Sequence, residues 1–209
     1  MTVVNRASCA EHLRLVAITD NLRDGVSGLA ARADAARRGG ATMIQLRLPD
    51  EGARTLVDVA RVLVSAVDIP VVIHGRADVA IASGAAGVHL GVHDLPVNDV
   101  RRIVGENFLI GRSAAGAADL PQAITADYIT LGPLFAADAR RPEPTIGISS
   151  FETMVQAITA PVVAIGGISV ETAPSAMRAG ASGVAMISGI LGASDPERAA
   201  RAVRAAIGR

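Results

Sequence analysis

The sequence predicts an α/β fold in which short strands and helices alternate along the whole chain. Eight runs rich in Val, Ile and Leu recur, and amphipathic stretches such as GLAARADAARRG and ARTLVDVARVLVSAV lie between them. The runs are almost continuously apolar, as strands buried on both faces of a parallel sheet must be. A length of 209 residues suits one domain with a substantial core. We therefore predict a single (β/α)8 TIM barrel over residues 1–209.

The predicted strands define where the loops of this barrel lie. Gly, Pro and polar residues separate the strands from the helical stretches. In chain order the strands are LRLVAIT (13–19), MIQLRL (43–48), PVVIHG (70–75), GVHLG (87–91), FLIGRS (108–113), YITLGPL (128–134), PVVAIGG (161–167) and GVAMIS (183–188). A doubly wound open sheet is the alternative, but it generally uses fewer strands in a chain of this length.

The composition excludes several classes of partner. The 20 basic and 20 acidic residues balance and the pI is near 6.9, so no basic surplus binds nucleic acid or an anionic membrane. No apolar run reaches the roughly 18 residues of a transmembrane helix. The N-terminus lacks a signal-peptide pattern, and Cys9 is the only cysteine. We expect a cytoplasmic protein whose partners are small molecules.

The chain contains no lysine, and all 20 of its basic residues are Arg. Schiff-base catalysis and P-loop nucleotide binding both depend on a lysine amine, so both are excluded. Any phosphate group that the protein binds must therefore be held by Arg side chains, hydroxyl groups or backbone N–H groups.

The strongest local signal for a ligand lies after the seventh and eighth strands. Active sites of (β/α)8 barrels lie at the C-terminal ends of the strands, and phosphate groups commonly bind at these two. The motifs AIGGIS and MISGI bring glycine there, so that backbone N–H groups and a helix N-terminus can approach an anion. The alternative is that the glycines serve only tight turns. We predict a phosphate site formed by Gly166, Gly167, Ile187, Ser188 and Gly189.

Polar residues at other strand ends are candidates for substrate binding and catalysis. Gln45 and Arg47 alternate with apolar residues, so both point to one side and suit a heteroaromatic or anionic ligand. An internal ion pair is the alternative interpretation of Arg47. His74 and His93 lie at strand ends, where either serves as a general acid or base. His89, inside the fourth strand, is interpreted as a hydrogen-bonded core residue.

Asp94 stands next to His93 at a predicted helix boundary. A carboxylate there either caps the helix or binds magnesium, and capping is the commoner role.

Several of these motifs together resemble one enzyme family. The stretches VAITD, MIQLR, GRADVAIASGAAGVHLGVHDLP, IGRS, DYITLGPLF, PVVAIGGI and GASGVAMISGI occur in the order found in the thiamine phosphate synthase/TenI family. The resemblance extends from Leu13 to the final helix. It implies a small (β/α)8 barrel that binds thiazole phosphate or thiamine phosphate at its mouth. It also implies a homodimer.

The synthase branch of that family joins a pyrimidine diphosphate to thiazole phosphate, and magnesium neutralises the departing pyrophosphate. By resemblance, Gln45 and Arg47 match substrate-binding positions, Asp94 matches a metal ligand and Ser113 matches the serine that binds pyrophosphate.

Other positions differ from the synthase pattern. Pro49 replaces a lysine, and His74-Gly75 replaces an Asn-Asp pair, which removes a metal carboxylate. In the loop after the sixth strand, residues 137–140 replace a Thr-x-Thr-Lys cluster, and only Arg140 keeps its positive charge for substrate binding.

The TenI branch is a thiazole tautomerase that moves a proton and needs no metal. Its catalytic histidine corresponds to Ala115, so His74 or His93 would supply the acid or base. From the lost magnesium and pyrophosphate contacts we expect a TenI-like thiazole tautomerase without a cofactor. The alternatives are a thiamine phosphate synthase that uses magnesium, and a non-catalytic phosphate-ligand-binding or regulatory protein.

Overall fold

The strands of the protein form a closed parallel barrel in which each strand pairs with the next and the last pairs with the first. The structure is a computed structural model that describes residues 9–136 and 144–208. The strands are β1 (Leu15–Ile18), β2 (Met43–Leu46), β3 (Val71–His74), β4 (Gly87–Leu90), β5 (Leu109–Ala114), β6 (Tyr128–Leu131), β7 (Val162–Ile165) and β8 (Gly183–Met186). The predicted (β/α)8 barrel is confirmed.

Helices surround the barrel and cover the outer face of the strands. They are α1 (Cys9–His12), α2 (Gly25–Arg38), α3 (Ala53–Ala66), α4 (Ala77–Ser83), α5 (Val97–Val104), α6 (Leu120–Ala123), α7 (Ile148–Gln156), α8 (Ala173–Arg178) and α9 (Pro196–Ala206). Their apolar faces pack on outward-facing strand residues such as Ile44, Ile73 and Ile129, which are fully buried. None of the helices in the described ranges is long and apolar enough to cross a membrane.

The barrel interior has an apolar layer beneath a polar layer. Alternate side chains of each strand point inward, and the lower ones form a separate apolar cluster that includes Met43, Val72, Leu109 and Val163. Nearer the C-terminal ends, the inward positions are polar: Gln45, His74, His89, Ser113 and Thr130. The interior therefore becomes polar on the side where barrels of this class place their sites.

Seven of the eight predicted strands extend too far toward the mouth, and the sixth does so most, because β6 ends at Leu131 and not at residue 134. Two of the others matter for the site. The seventh was expected to reach residue 167, but β7 ends at Ile165, and the eighth was expected to reach 188, but β8 ends at Met186. Gly166 and Gly167 have φ values of +89° and +61°, which lie outside the β region. The apolar run of the sequence continues into loops, so composition alone placed these ends too late.

Candidate functional site

The five residues predicted to bind phosphate line one cavity at the C-terminal ends of β7 and β8. The cavity has a volume of about 470 Å³ and is lined by Gly166, Gly167, Ile187, Ser188 and Gly189, among others. The three residues after β8 are exposed, so a ligand can reach them from solvent. We call these five residues the phosphate cup.

Close packing explains two of the glycines in the phosphate cup. A Cβ atom at Gly166 would lie 2.5 Å from the Cα of Pro133, and one at Gly167 would lie 2.5 Å from the backbone oxygen of Phe135. Both residues also have positive φ, which glycine adopts without steric cost. The turn is thus held against the loop after β6, and its backbone is exposed to the cavity.

Backbone N–H groups, rather than helix ends, are the donors that the phosphate cup offers. Within the described ranges, the N–H groups of Gly167, Ser188 and Gly189 donate no hydrogen bond to the protein. The expected helix N-termini do not follow the glycine motifs directly. The α8 helix begins only at Ala173 and α9 only at Pro196, because turns occupy the intervening residues.

A second group of predicted residues lies across the mouth, at the ends of β2 and β3. The amide nitrogen of Gln45 lies 3.1 Å from Nδ1 of His74. Arg47 and His74 both line a cavity of about 140 Å³, together with Arg76. The expected alternative of an internal ion pair does not hold for Arg47, whose side chain forms no ion pair with another described residue. Its charge therefore remains available to an anion.

His74 is neutral at pH 7 for two reasons. Burial lowers its pKa below the ordinary value, and the positive charge of Arg47 lowers it further. The nearby Asp94 carboxylate raises the pKa of His74, but this effect is the smallest of the three. Because His74 accepts a hydrogen bond from the Gln45 amide, its second ring nitrogen carries the proton.

The other two candidates, His93 and Asp94, lie in the loop after β4, and no hydrogen bond joins their side chains. His93 is exposed, and it makes no hydrogen bond to another described residue. Asp94 is half-buried, and its Oδ2 accepts the N–H of Gly91 at 2.6 Å. The α5 helix begins at Val97, so Asp94 closes the turn before the helix and does not cap it.

The residues around Asp94 do not fit a magnesium ion held by the protein. Within the described ranges, no three His, Cys, Asp or Glu side chains are placed to hold a metal. Magnesium takes about six oxygen ligands in octahedral geometry. Asp94 offers one carboxylate, which already binds a backbone N–H, and Gly75 offers no side chain beside it.

A buried hydrogen-bonded network forms the floor of the mouth. His89 Nε2 lies 2.9 Å from Oγ of Ser113 and 3.1 Å from Oγ1 of Thr130. His89 Nδ1 lies 3.1 Å from the hydroxyl of Tyr128. The expectation of a hydrogen-bonded core histidine agrees with this geometry. Tyr128 and Thr130 were not among the predicted site residues, although their alternation in YITL predicts that both point inward.

One further cavity, of about 520 Å³, lies between the loops after β5 and β6. Its lining includes Ala115, Ile146 and Met154. Arg140, predicted to bind substrate, lies outside the described residues, as does the rest of the 137–143 segment.

Comparisons with known proteins agree with the resemblance seen in the sequence. The profile of the family described as "Thiamine monophosphate synthase" matches residues 15–190. A thiamine-phosphate synthase from Roseiflexus castenholzii is 41% identical over 89% of this chain and 84% of its own. One from Xanthobacter autotrophicus is 40% identical over 93% of this chain and 95% of its own.

A solved structure extends the likeness to three dimensions. Thiamine phosphate pyrophosphorylase from Pyrococcus furiosus is 32% identical to this chain, with a TM-score of 0.84. The alignment covers 96% of this chain and 98% of that structure, so the whole barrel is shared.

The expectation of a TenI-like thiazole tautomerase is wrong. The relatives at about 40% identity are named thiamine-phosphate synthase, which was the alternative interpretation. The acid–base roles expected for His74 and His93 belonged to the tautomerase reaction and are not retained.

The family assignment itself rests on two findings of different kinds. The matching profile covers most of the barrel, and relatives from separate organisms align with nearly the full chain. The chain therefore belongs to the thiamine monophosphate synthase family.

Proposed function

We propose that this protein is a thiamine-phosphate synthase, which joins a pyrimidine diphosphate to thiazole phosphate at the mouth of the barrel. The observation that carries the proposal is the similarity to named synthases, which extends over about nine tenths of the chain. The phosphate cup and the group of Gln45, Arg47 and His74 across the mouth give that similarity a physical basis.

In this proposal the phosphate cup binds thiazole phosphate. The N–H groups of Gly167, Ser188 and Gly189, which donate to no other described residue, are donors for phosphate oxygens. Ser188 adds a hydroxyl at the same cavity. This mode of binding needs no lysine, which the chain lacks.

The pyrimidine diphosphate lies on the opposite side of the mouth. Strand β3 stands across the closed barrel from β7, so Arg47 and His74 face the phosphate cup over the centre. Gln45 and neutral His74 present hydrogen-bonding groups to a heterocycle, and Arg47 and Ser113 attract the diphosphate.

The reaction that this arrangement serves is a substitution at carbon. The thiazole nitrogen forms a bond to the exocyclic methylene carbon of the pyrimidine, the C–O bond to the diphosphate breaks, and pyrophosphate leaves with the electron pair. The protein's contribution is to hold both substrates in line and to stabilise the charge of the leaving group. No step is assigned to magnesium, because the residues beside Asp94 do not fit it.

A turnover assay tests the proposal. The protein is incubated with both substrates, with magnesium and with a chelator in parallel, and thiamine phosphate and pyrophosphate are measured. We expect equal amounts of the two products, formed only when both substrates are present. Tight binding of thiazole phosphate without turnover would instead assign a non-catalytic binding role, and absence of both would reject the proposal.

A charge placed in the phosphate cup provides a matched comparison. Ser188→Asp is expected to weaken thiazole phosphate binding by about tenfold or more, since like charges a few Å apart near a surface repel by a few kcal/mol. Ser182→Asp introduces the same charge before the N-terminal end of β8 and is expected to leave binding unchanged. Calorimetric titration of both variants checks this, and equal effects would remove the phosphate cup from the proposal.

A further inference from the structure

We propose that His89 is a positioning residue in a chain of hydrogen bonds. Tyr128 donates to His89 and His89 donates to Ser113, so that the Ser113 hydroxyl is left to donate a hydrogen bond to an anion at the mouth. The identity of that anion, pyrophosphate, rests on the proposed synthase function. The orientation of the network rests only on contacts within the protein.

The contact between Tyr128 and His89 is buried at the centre of the barrel. Tyr128 and His89 are almost fully buried, and their rings pack with centroids 5.4 Å apart. Gly111 makes this possible, because a Cβ there would lie 2.2 Å from Cζ of Tyr128 and 2.4 Å from Nδ1 of His89. The space that Gly111 leaves empty is what the phenol and imidazole occupy.

The phenol fixes which nitrogen of His89 is protonated. Among the described residues, the hydrogen-bond partner of the Tyr128 hydroxyl is His89 Nδ1. Burial raises the pKa of Tyr128, so the hydroxyl keeps its proton. If Nδ1 were protonated, the phenol proton would be buried without an acceptor, which costs roughly 1–3 kcal/mol. Tyr128 therefore donates to Nδ1, and the imidazole proton lies on Nε2.

That proton determines what Ser113 can do. The Nε2–H group of His89 faces the hydroxyl oxygens of Ser113 and Thr130, at 2.9 Å and 3.1 Å. Once Ser113 accepts this hydrogen bond, its own proton is free to be donated. The two hydroxyls lie 3.2 Å apart, so in the free protein one of them donates a hydrogen bond to the other. When an anion binds, the Ser113 hydroxyl rotates to it, because Ser113 is only half-buried.

The imidazole stays neutral over a wide range of pH. Burial lowers the pKa of His89 to about 3, and the neighbouring His74 and Arg112 lower it as well. A doubly protonated His89 would require Tyr128 to accept a hydrogen bond, which would reverse the direction of the hydrogen bond between the two residues. Neutrality therefore preserves the orientation of the whole network.

The tautomer of His89 is the direct test. Long-range ¹H–¹⁵N correlation spectra of protein labelled at histidine distinguish a protonated ring nitrogen from an unprotonated one. His89→Gln identifies the signals that belong to His89. We expect Nδ1 unprotonated and Nε2 protonated, unchanged between about pH 5 and pH 8. A proton on Nδ1 would overturn the proposal, whatever the outcome of the synthase assay.

A double-mutant cycle tests the link to the anion, with inorganic pyrophosphate as the probe. The Tyr128 hydroxyl lies outside hydrogen-bond reach of the mouth. Tyr128→Phe is nevertheless expected to weaken pyrophosphate binding about fivefold, the effect of one ordinary hydrogen bond. In a Ser113→Ala background Tyr128→Phe is expected to have no effect on pyrophosphate binding, since the hydroxyl through which Tyr128 acts has been removed. Equal effects in both backgrounds would overturn the proposal.

Conservative replacement separates positioning from simple packing. His89→Gln keeps an N–H donor for Ser113, whereas His89→Leu keeps only volume. We expect pyrophosphate binding to be retained better by the Gln variant, at comparable thermal stability. If both variants bind alike, or if the wild-type protein binds no pyrophosphate, the assignment of Ser113 as the oriented donor fails.

Discussion

Gly75 lies directly against Asp94, so that a Cβ atom added at Gly75 would be 3.2 Å from the Oδ2 atom of Asp94. A carboxylate introduced at this position would therefore stand beside the existing one. Because two adjacent carboxylates repel each other and magnesium relieves that repulsion, Gly75→Asp is expected to create magnesium binding. Thermal unfolding with and without millimolar magnesium measures this, and we expect the ion to raise the Tm of the variant alone.

Gly75→Asn is the control for that experiment. Gly75 has a φ of +69°, a conformation that Asn and Asp tolerate better than other side chains, so both variants carry similar backbone strain. Only the Asp variant adds charge. A magnesium effect of equal size in the Asn variant would show that the carboxylate pair is not the cause.

Acid is expected to destabilise the fold through the buried histidines. The pKa of His89 is lowered to about 3 and that of His74 is also lowered. Between the ordinary value near 6.5 and these pKa values, the unfolded chain binds more protons, so stability falls as the pH falls. Each such histidine contributes about 1.4 kcal/mol per pH unit within its interval.

Urea unfolding at pH 7 and pH 5 measures this dependence. Across that interval His89→Gln is expected to lose about 2 kcal/mol less stability than the wild-type protein. Carboxylates that titrate in the same range are common to both proteins and cancel in the comparison. Identical losses would contradict the low pKa of His89.

Gly166→Ala is expected to damage the phosphate cup and the fold together. The new Cβ meets the Cα and Cβ atoms of Pro133 at 2.5 Å, and residue 166 has a φ of +89°, so we expect a loss of at least about 1–3 kcal/mol in unfolding free energy. Gly52→Ala is the control, because a Cβ there has no neighbour within 4 Å and its φ is −72°. Denaturant unfolding should separate the two variants clearly.

The ion pair between Arg101 and Asp127 is expected to stabilise the barrel end remote from the mouth. The pair is 2.7 Å long, with side chains only 12% and 3% exposed, and Asp127 also accepts the N–H of Ile110. Asp127→Ala leaves a buried guanidinium without its counterion, which costs about 3–5 kcal/mol.

A surface pair provides the comparison for Asp127→Ala. Arg102 and Asp99 are also within 2.8 Å, but their side chains are 78% and 47% exposed. Arg102→Ala is expected to cost less than about 1 kcal/mol. Unfolding free energies test both values, and similar losses would mean that burial does not decide the strength of these pairs.

The fold was predictable because its signal is distributed over the whole chain. Each strand is a short apolar run, and eight runs with helical stretches between them leave few architectures. That the five residues of the phosphate cup line one cavity was predictable for a related reason, since position along the barrel determines which strand ends lie together. Neither inference required knowledge of a single side-chain contact.

The floor of the mouth was not predictable in the same way. Contacts among Tyr128, His89 and Ser113 depend on the register of three strands, which brings together residues up to 39 positions apart. The nearness of Gly75 to Asp94 depends on the path of two loops. The expected reaction was wrong for another reason: the departures from the synthase pattern at Pro49, Gly75 and residues 137–140 do not outweigh the similarity of the remaining chain to named synthases.

The layered interior of the barrel has a consequence for selectivity. Its upper layer consists of amide, hydroxyl and neutral imidazole groups, whereas positive charge stands at the rim on Arg47 and on Arg76, of which Arg76 is paired with Asp78. Under the proposed synthase function, a heterocycle that enters the mouth would exchange water for fixed dipoles and meet no net charge in the upper layer. The pattern of donors and acceptors there would then discriminate the ring, and the charge at the rim would discriminate the number of phosphates.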